Sequence, residues 1–368
     1  MKILQVITSL RKSAGTTTFV KGLSEALYDL GFSITIAITS LDDECLGERP
    51  ERPISIVTIH EILQNGEHFD IVHIHGLWEF ATNRICRWAL KHRISVVWSA
   101  HGALSPWAMN HKRWKKMLPW IVFQRSNLKA ATLLHATADS EVEWIRRSGL
   151  QNDIVVAPLG VGGAALDQAA IVGKNENERT LLFVGRIHPV KGLSNLLKAW
   201  ATCRIRYPEI AKIWKLVLVG PDQVGYRTEL EKQANRLLLG DSVVFKGPEF
   251  GITLQAEYST CDCLVLPSFT ENFGGVIVDA LAHGKPCIAS RFTPWKELET
   301  WHCGWWVDND PESLAKAISE AMISSDKVRT QMGTCGRKLV EEKYTWNSIA
   351  RKMAHAYKMA LLRVKTGC

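Results

Sequence analysis

The stretch Gly185-Arg186-Ile187-His188-Pro189-Val190-Lys191-Gly192 follows an apolar run at residues 180–184 and precedes a helical pattern. Two cations five positions apart, a glycine where a strand would end and the start of a helix together suit a diphosphate. The same residues also read as an ordinary strand–loop–helix junction with two surface cations. A second stretch narrows the choice: Pro267-Ser268-Phe269-Thr270-Glu271-Asn272-Phe273-Gly274-Gly275-Val276. It too lies between an apolar run and a helix, and Gly274 and Gly275 would free backbone N–H groups to cradle phosphate oxygens. Asp279 comes eight residues after Glu271, about one turn inside that helix. One carboxylate can then grip sugar hydroxyls while the other reaches ribose hydroxyls. The helix dipole alone explains Glu271, and solvation alone explains Asp279. Neither explains both beside paired glycines and an Arg/Lys loop.

The elements that must position these residues read as strands alternating with helices. Residues 2–8, 33–39, 70–75, 94–99, 131–135 and 154–157 are continuous apolar runs, with helices at 17–30 and 83–92. Continuous rather than alternating apolar runs predict a parallel sheet covered on both faces. Residues 160–179 break the rhythm with glycines and a polar run, which predicts an interdomain linker. The pattern then restarts, with strands at 180–184, 215–219, 242–245, 263–266 and 286–289. Helices follow near 193–203, 226–234, 254–260 and 276–283, and then near 311–324, 326–342 and 346–363. The fold class is therefore α/β, with two Rossmann-like, doubly wound parallel-sheet domains. Ligands of such sheets bind outside the carboxyl ends of the strands, so the two domains are expected to face each other across a cleft.

At this point the chain resembles the retaining, GT-B-fold glycosyltransferases of family 4, known from bacterial polysaccharide biosynthesis. The resemblance rests on Gly185-Arg186…Lys191-Gly192, on Glu271…Asp279 and on Ala282-His283-Gly284-Lys285-Pro286. The family has glutamate where this chain has Asp279, which shortens the reach to the ribose by about one methylene. The resemblance implies domains at residues 1–165 and 175–345, with helix 346–368 packing back on the first. Arg186, Lys191, Glu271 and His101 are then the expected catalytic residues. Expected donor contacts are Gly15, Gly185, Asn272, Phe273, Gly274, Gly275, Val276 and Asp279, with Phe250 bordering the base. His101 follows a strand end in Ser99-Ala100-His101-Gly102, where relatives hold a histidine on the transferred sugar. Its other reading is a hydrogen-bonded loop histidine. Gly15, in Ser13-Ala14-Gly15-Thr16-Thr17, matches a glycine loop near the donor phosphate or acceptor. His73 and His75 share one strand face and read as packing or cleft-lining residues.

The implied reaction is metal-independent transfer of a hexose, best matched by glucose from UDP-glucose, onto a polysaccharide or lipid-linked glycan. Arg186, Lys191 and the glycine-loop N–H groups would stabilise the departing nucleoside diphosphate. No cofactor is expected beyond the nucleotide sugar itself. Asp308-Asn309-Asp310 mimics a metal-binding motif, but Asp310-Pro311-Glu312 has the chemistry of a helix N-cap with proline at N1. Cys261 and Cys263 lack a second pair at zinc-site spacing. The alternatives are a sugar-nucleotide 2-epimerase of the same fold and a non-catalytic nucleotide-sugar-binding protein, to which Asp279 is the only pointer.

Bulk composition agrees with a soluble enzyme. The chain has 368 residues, a formal net charge of +8 and nine scattered cysteines, which suit a reducing cytosol. No apolar run approaches the ~18–20 residues of a membrane span, and residues 1–8 read as a strand rather than a signal peptide. The expected location is cytoplasmic, peripheral to the plasma membrane at most. Charge is unevenly spread: from Phe80 to Ala138 there are ten Lys/Arg, no Asp or Glu, and five of the 14 tryptophans. Residues 107–125 mix cations, tryptophans and aliphatics, which suits an anionic bilayer interface. The competing reading is an amphipathic helix whose tryptophans pack inward. Nucleic acid is not expected as a partner, given the sugar-nucleotide pattern.

Overall fold

The computed structural model describes residues 1–11, 15–42, 46, 49–162 and 178–366. Ser13, Ala14 and most of the expected linker lie outside these residues. The chain divides into two compact units, Met1–Gly160 with Thr345–Cys368, and Val161–Tyr344.

The first unit is built on seven parallel strands: β1 (Lys2–Val6), β2 (Ser33–Ile38), β3 (Ser55–Thr58), β4 (Ile71–His75), β5 (Ser95–Ser99), β6 (Leu133–Ala136) and β7 (Ile154–Val156). Their order is β3-β2-β1-β4-β5-β6-β7, so the chain reverses its direction of travel between β1 and β4. One sheet face packs Val72, Ile74, Val96 and Trp98 against helix Phe80–Lys91 and its neighbours. The other face packs Ile3, Ile71, Val97 and Leu133 with helices Gly15–Asp29 and Trp346–Thr366. The latter helix is held by Ile349, Met353 and Tyr357 in the core and by Ser95 Oγ donating to the Ala360 carbonyl at 3.2 Å. Trp346 lies so close to Gly22 and Gly160 that a Cβ at either would meet its ring within 2.1 and 2.6 Å.

The second unit has six parallel strands: β8 (Arg179–Val184), β9 (Trp214–Val219), β10 (Val243–Lys246), β11 (Cys263–Leu266), β12 (Cys287–Ser290) and β13 (Gly304–Val307). Their order is β10-β9-β8-β11-β12-β13, with the reversal between β8 and β11. Helices leaving β8 and β11 therefore diverge to opposite faces, and the two loops begin side by side. This is the switch-point crevice of a doubly wound sheet.

Two strands, β3 and β13, have no counterpart among the apolar runs. Each is four residues long at a sheet edge and only half-buried, so neither shows the continuous apolar signature of a central strand.

Candidate functional site

The two loops singled out by their chemistry start at the carboxyl ends of β8 and β11, adjacent strands in the second sheet. They are pinned together by backbone. Phe269 N–H donates to the Val190 carbonyl at 2.8 Å. Gly192, at φ +70°, lies against the Pro267 carbonyl, and a Cβ there would sit 2.0 Å from that oxygen. Only glycine fits, both for the left-handed backbone and for the close approach. The buried Asn309 amide donates to the same Pro267 carbonyl, and its own backbone carbonyl accepts from Asn195 Nδ2 at 2.7 Å. The loop after β9 joins from the other side: a Cβ at Gly220 would lie 1.9 Å from the Gly185 carbonyl.

On this frame Lys191 Nζ pairs with Glu271 Oε1, and Ser268 Oγ donates to the same oxygen at 2.8 Å. The two charged side chains are only 13% and 14% exposed, so they attract through a medium less screening than bulk water. Ser268 is fully buried and orients the carboxylate; it had no sequence signal beyond its place beside Glu271. Arg186 is exposed and donates to Gln223 Oε1 at 3.1 Å, on the loop after β9. The two expected phosphate cations are thus held by different partners on either side of the β8 loop. Gly185, at φ +153°, lies alongside the Lys191 stem.

The glycine pair behaves as its sequence suggests. Gly274, at φ +83°, precedes helix Gly275–Ala282, and a Cβ on it would touch Leu266 and Trp295. Ile277 N–H bonds back to the Gly274 carbonyl. Gly275 and Val276 contribute first-turn N–H groups, which a helix does not satisfy internally. Asn272, just before, is half-buried.

Three of the expected site residues have surroundings that spacing alone does not reveal. The Phe273 ring is buried, 5.1 Å from the Trp295 ring and 5.8 Å from that of Tyr344. Its carbonyl accepts from Trp295 Nε1 at 2.6 Å. Asp279 is neither a solvated helix residue nor a free carboxylate. Helix Gly275–Ala282 is apolar on nearly every side, and Asp279 is half-buried beside Tyr258. Burial pushes its carboxyl up to about 7, with the Tyr258 hydroxyl pulling the other way. Arg186 and Lys191, finally, have different partners within the protein, Gln223 and Glu271.

The remaining expected residues are placed as follows. Phe250 is exposed on the loop after β10, just before helix Gly251–Thr260. Gly15 opens helix Gly15–Asp29 with open space where a Cβ would be. His101 follows β5 in the first unit, with its Nε2 2.9 Å from His75 Nδ1. His73 and His75 are both buried and join His101 and His135 in one cluster that sequence reading missed. The signal available was a histidine at or just beyond the carboxyl end of three consecutive strands, β4, β5 and β6.

The Asp308-Asn309-Asp310 motif is a cap. Asp310 Oδ1 accepts from the N–H groups of Glu312 and Ser313, both at 2.9 Å, ahead of helix Pro311–Ile323. Among the described residues no group of three or more His, Cys, Asp or Glu is arranged to hold a metal. Cys261 and Cys263 are buried thiols.

Two parallel-sheet units wound this way define the GT-B architecture. Solved structures share it along nearly the whole chain. HepE of Anabaena, in complex with UDP and glucose, superimposes with a TM-score of 0.75 at 19% identity, covering 97% of this chain and 99% of that one. Sucrose-phosphate synthase from Thermosynechococcus elongatus gives 0.71 at 20% identity, covering 98% of each chain.

Residues 166–339 match the family "Glycosyl transferases group 1", and residues 45–160 match "Glycosyl transferase 4-like domain". The fold is GT-B, and both matched models describe glycosyltransferase domains, one in each half of the chain. An uncharacterized glycosyltransferase of Methanocaldococcus jannaschii is 32% identical over 192 residues, 52% of this chain and 47% of that protein. D-inositol 3-phosphate glycosyltransferase of Corynebacterium urealyticum is 31% identical over 180 residues, 48% of this chain and 42% of that protein. The chain thus spans about half the length of the curated relatives it matches.

Proposed function

We propose that the protein transfers a hexose from a nucleotide sugar to a glycan or lipid-linked acceptor, with retention at the anomeric carbon and without a metal. The observation that carries this reading is the shielded Lys191–Glu271 pair at the second sheet's switch point, on loops that admit no side chain at Gly192. A lysine already paired can turn part of its charge to a diphosphate as the bond to the sugar breaks. Glu271 is then left to accept from sugar hydroxyls. Arg186 reaches the same loop from the exposed side, and the N–H groups of Gly275 and Val276 add fixed dipoles. Such groups act where charge develops in the transition state. His101 would serve the transferred sugar, as the family resemblance implies. UDP-glucose is the preferred donor.

A thermal-shift series with UDP-glucose, GDP-mannose and ADP-glucose tests the donor. UDP-glucose at 100 times its Kd should stabilise the fold by about 2.7 kcal/mol, equally with and without EDTA. Stabilisation by none of the three would sink the donor assignment, and dependence on a divalent cation would sink the metal-free mechanism. A second reading, a binding protein without turnover, is favoured by the half-buried Asp279. Release of nucleoside diphosphate in the presence of donor separates the two.

The acceptor is proposed to lie at a membrane surface reached through residues 107–125. Helices Pro106–Asn110 and Arg113–Pro119 lead into a wide helical turn, Trp120–Gln124. Trp114, Leu118 and Ile121 are about 70% exposed, with Trp107, Met117 and Val122 near half. Lys112, Arg113 and Lys115 are exposed among them, and Lys115 Nζ lies 5.0 Å from the Trp114 ring centroid. Trp120 alone of these tryptophans turns inward, 6.0 Å from Trp78. Outward apolar groups interleaved with cations suit an anionic bilayer interface. None of the described helices is long and apolar enough to cross a membrane. Sedimentation with phosphatidylserine vesicles at low salt should carry the protein down. Trp114→Ala with Ile121→Ala should weaken binding by at least roughly tenfold, since burial of only about 55 Å² of apolar surface is worth that much. No binding to those vesicles refutes this surface.

A further inference from the structure

The first unit carries a buried hydrogen-bond chain that ends on His101. The polar members of one sheet face gather at the carboxyl ends of the central strands. Register sets Gln5 beside His73, and Ser99 beside both His75 and His135. Gln5, His73, His75, Ser99, His135 and Tyr357 are all buried. Ring centroids of His73 and His75 lie 4.1 Å apart, and those of His75 and His101 5.2 Å. Phe19 covers the cluster, within 5.8 Å of three of the rings.

Imidazoles packed this closely out of water stay neutral. Burial first, and then their mutual repulsion, pushes His101 down to about 3 and holds His73 and His75 well below the usual range. Burial likewise lowers His135 to about 4, against the Ala157 carbonyl. Each ring therefore has one N–H and one lone pair.

The direction of every bond then follows from one end. His135 Nε2 lies 2.7 Å from the Ala157 carbonyl, which can only accept, so that nitrogen carries the proton. His135 Nδ1 must accept, and Ser99 Oγ donates to it at 2.6 Å. Ser99 in turn accepts from His73 Nε2–H at 2.6 Å, which leaves His73 Nδ1 to accept from the Tyr357 hydroxyl at 2.6 Å. With its proton committed, Tyr357 offers only lone pairs to Gln5. Gln5 turns its amide N–H toward Tyr357, 3.5 Å away, and its carbonyl toward His75 Nε2, 2.7 Å away. His75 then donates through Nε2 and accepts at Nδ1 from His101 Nε2–H. The opposite polarity would set a lone pair against the Ala157 carbonyl and leave a buried acceptor unpaired, at a cost of about 1–3 kcal/mol.

His101 stands at the open end. Its Nδ1 has no hydrogen-bond partner among the described residues. Its backbone is held left-handed at φ +49°, a costly conformation for a side chain of this size. The next peptide is clamped: Gly102 N–H donates at 2.6 Å to buried Glu141, whose other oxygen takes Thr137 N–H at 2.8 Å.

We propose that this one-way chain makes Gln5, His75 and Tyr357 positioning residues that hold His101 as the Nε2-protonated tautomer, so that its Nδ1 accepts a hydrogen bond from a hydroxyl of the bound ligand. The identity of that ligand as a sugar rests on the proposed function; the tautomer does not. A site built this way takes a hydroxyl donor and discriminates against a deoxy analogue, which would leave the lone pair unmet.

Two-bond proton–nitrogen correlation spectra of the full chain labelled with ¹⁵N-histidine read the tautomer of each ring. At pH 7 the His101 signal should show Nε2 protonated and Nδ1 bare. A bare Nε2, or a doubly protonated ring, overturns the proposal. Tyr357→Phe keeps the ring and deletes the hydroxyl whose lone pair orients the Gln5 amide, and should give His101 a mixture of both tautomers. An unchanged His101 signal in that variant overturns the relay. Saturating UDP-glucose should then shift the wild-type Nδ1 resonance toward that of a hydrogen-bonded nitrogen. Donor binding without that shift overturns the hydroxyl contact while the donor reading survives. A chain that binds no nucleotide sugar overturns the proposed function and the hydroxyl contact together, and the tautomer is decided by the ligand-free spectrum.

Discussion

Replacing Lys191 by methionine is expected to lower kcat about 10²–10³-fold, the usual consequence of losing one group aimed at a developing anion. The fold should survive, but at a cost. Glu271, only 14% exposed, would keep Ser268 as its partner and lose its counter-charge. Truncating one member of a shielded pair is more damaging than deleting both. A Lys191→Met/Glu271→Gln double variant should therefore recover urea stability relative to Lys191→Met while remaining as inactive or more so. From the single to the double variant the urea midpoint should rise while kcat stays level or falls. Full turnover by Lys191→Met would remove the central residue of the proposed mechanism.

Asp279→Asn should stabilise the protein above neutral pH and leave it unchanged in acid. The carboxyl has a folded-state value of about 7 against an ordinary 3.8, because burial disfavours its charge. A carboxyl raised in this way favours the folded state fully below its unfolded value. That advantage fades as pH rises between 3.8 and about 7, and above this range the wild type bears the whole penalty of ionising a half-buried group. The ceiling is on the order of 4 kcal/mol, taking about 1.36 kcal/mol for each tenfold change in acidity. Asparagine is nearly isosteric and carries no charge, so it escapes the penalty. Melting temperatures of the two proteins should diverge from about pH 4 and reach a constant gap near pH 8. Parallel curves across that range would contradict the burial of Asp279. The same variant bears on donor binding. If the carboxylate holds the ribose, UDP-glucose affinity should fall in Asp279→Asn and, in the wild type, weaken below pH 7.

The central strands were readable because a parallel sheet covered on both faces demands continuous apolar runs, and residues such as Leu181–Val184 and Cys263–Leu266 provide them. The loops were readable because a left-handed or crowded backbone demands glycine, and Gly192 and Gly274 meet those demands. The edge strands β3 and β13 were not, since a half-exposed four-residue strand carries no periodic signal. Two of the expected donor residues have surroundings that the sequence did not show. Phe273 and Asp279 point where packing against Trp295 and Tyr258 directs them, which spacing along the chain does not specify.

Residue types and local spacing by themselves determined two α/β repeats, the glycine-bounded loops and a Lys/Glu pair of the right chemistry. Tertiary structure alone decided that Lys191 would meet Glu271, 80 residues away, and that Tyr357 would meet His73, 284 residues away. It did so through strand order: β8 beside β11, and β1, β4, β5 and β6 in one row. That order sets which side chains leave water together. Hydrogen-bond direction and proton position follow from those neighbours, which is why His73 and His75 read as packing residues in the sequence and as a proton-fixing chain in the fold.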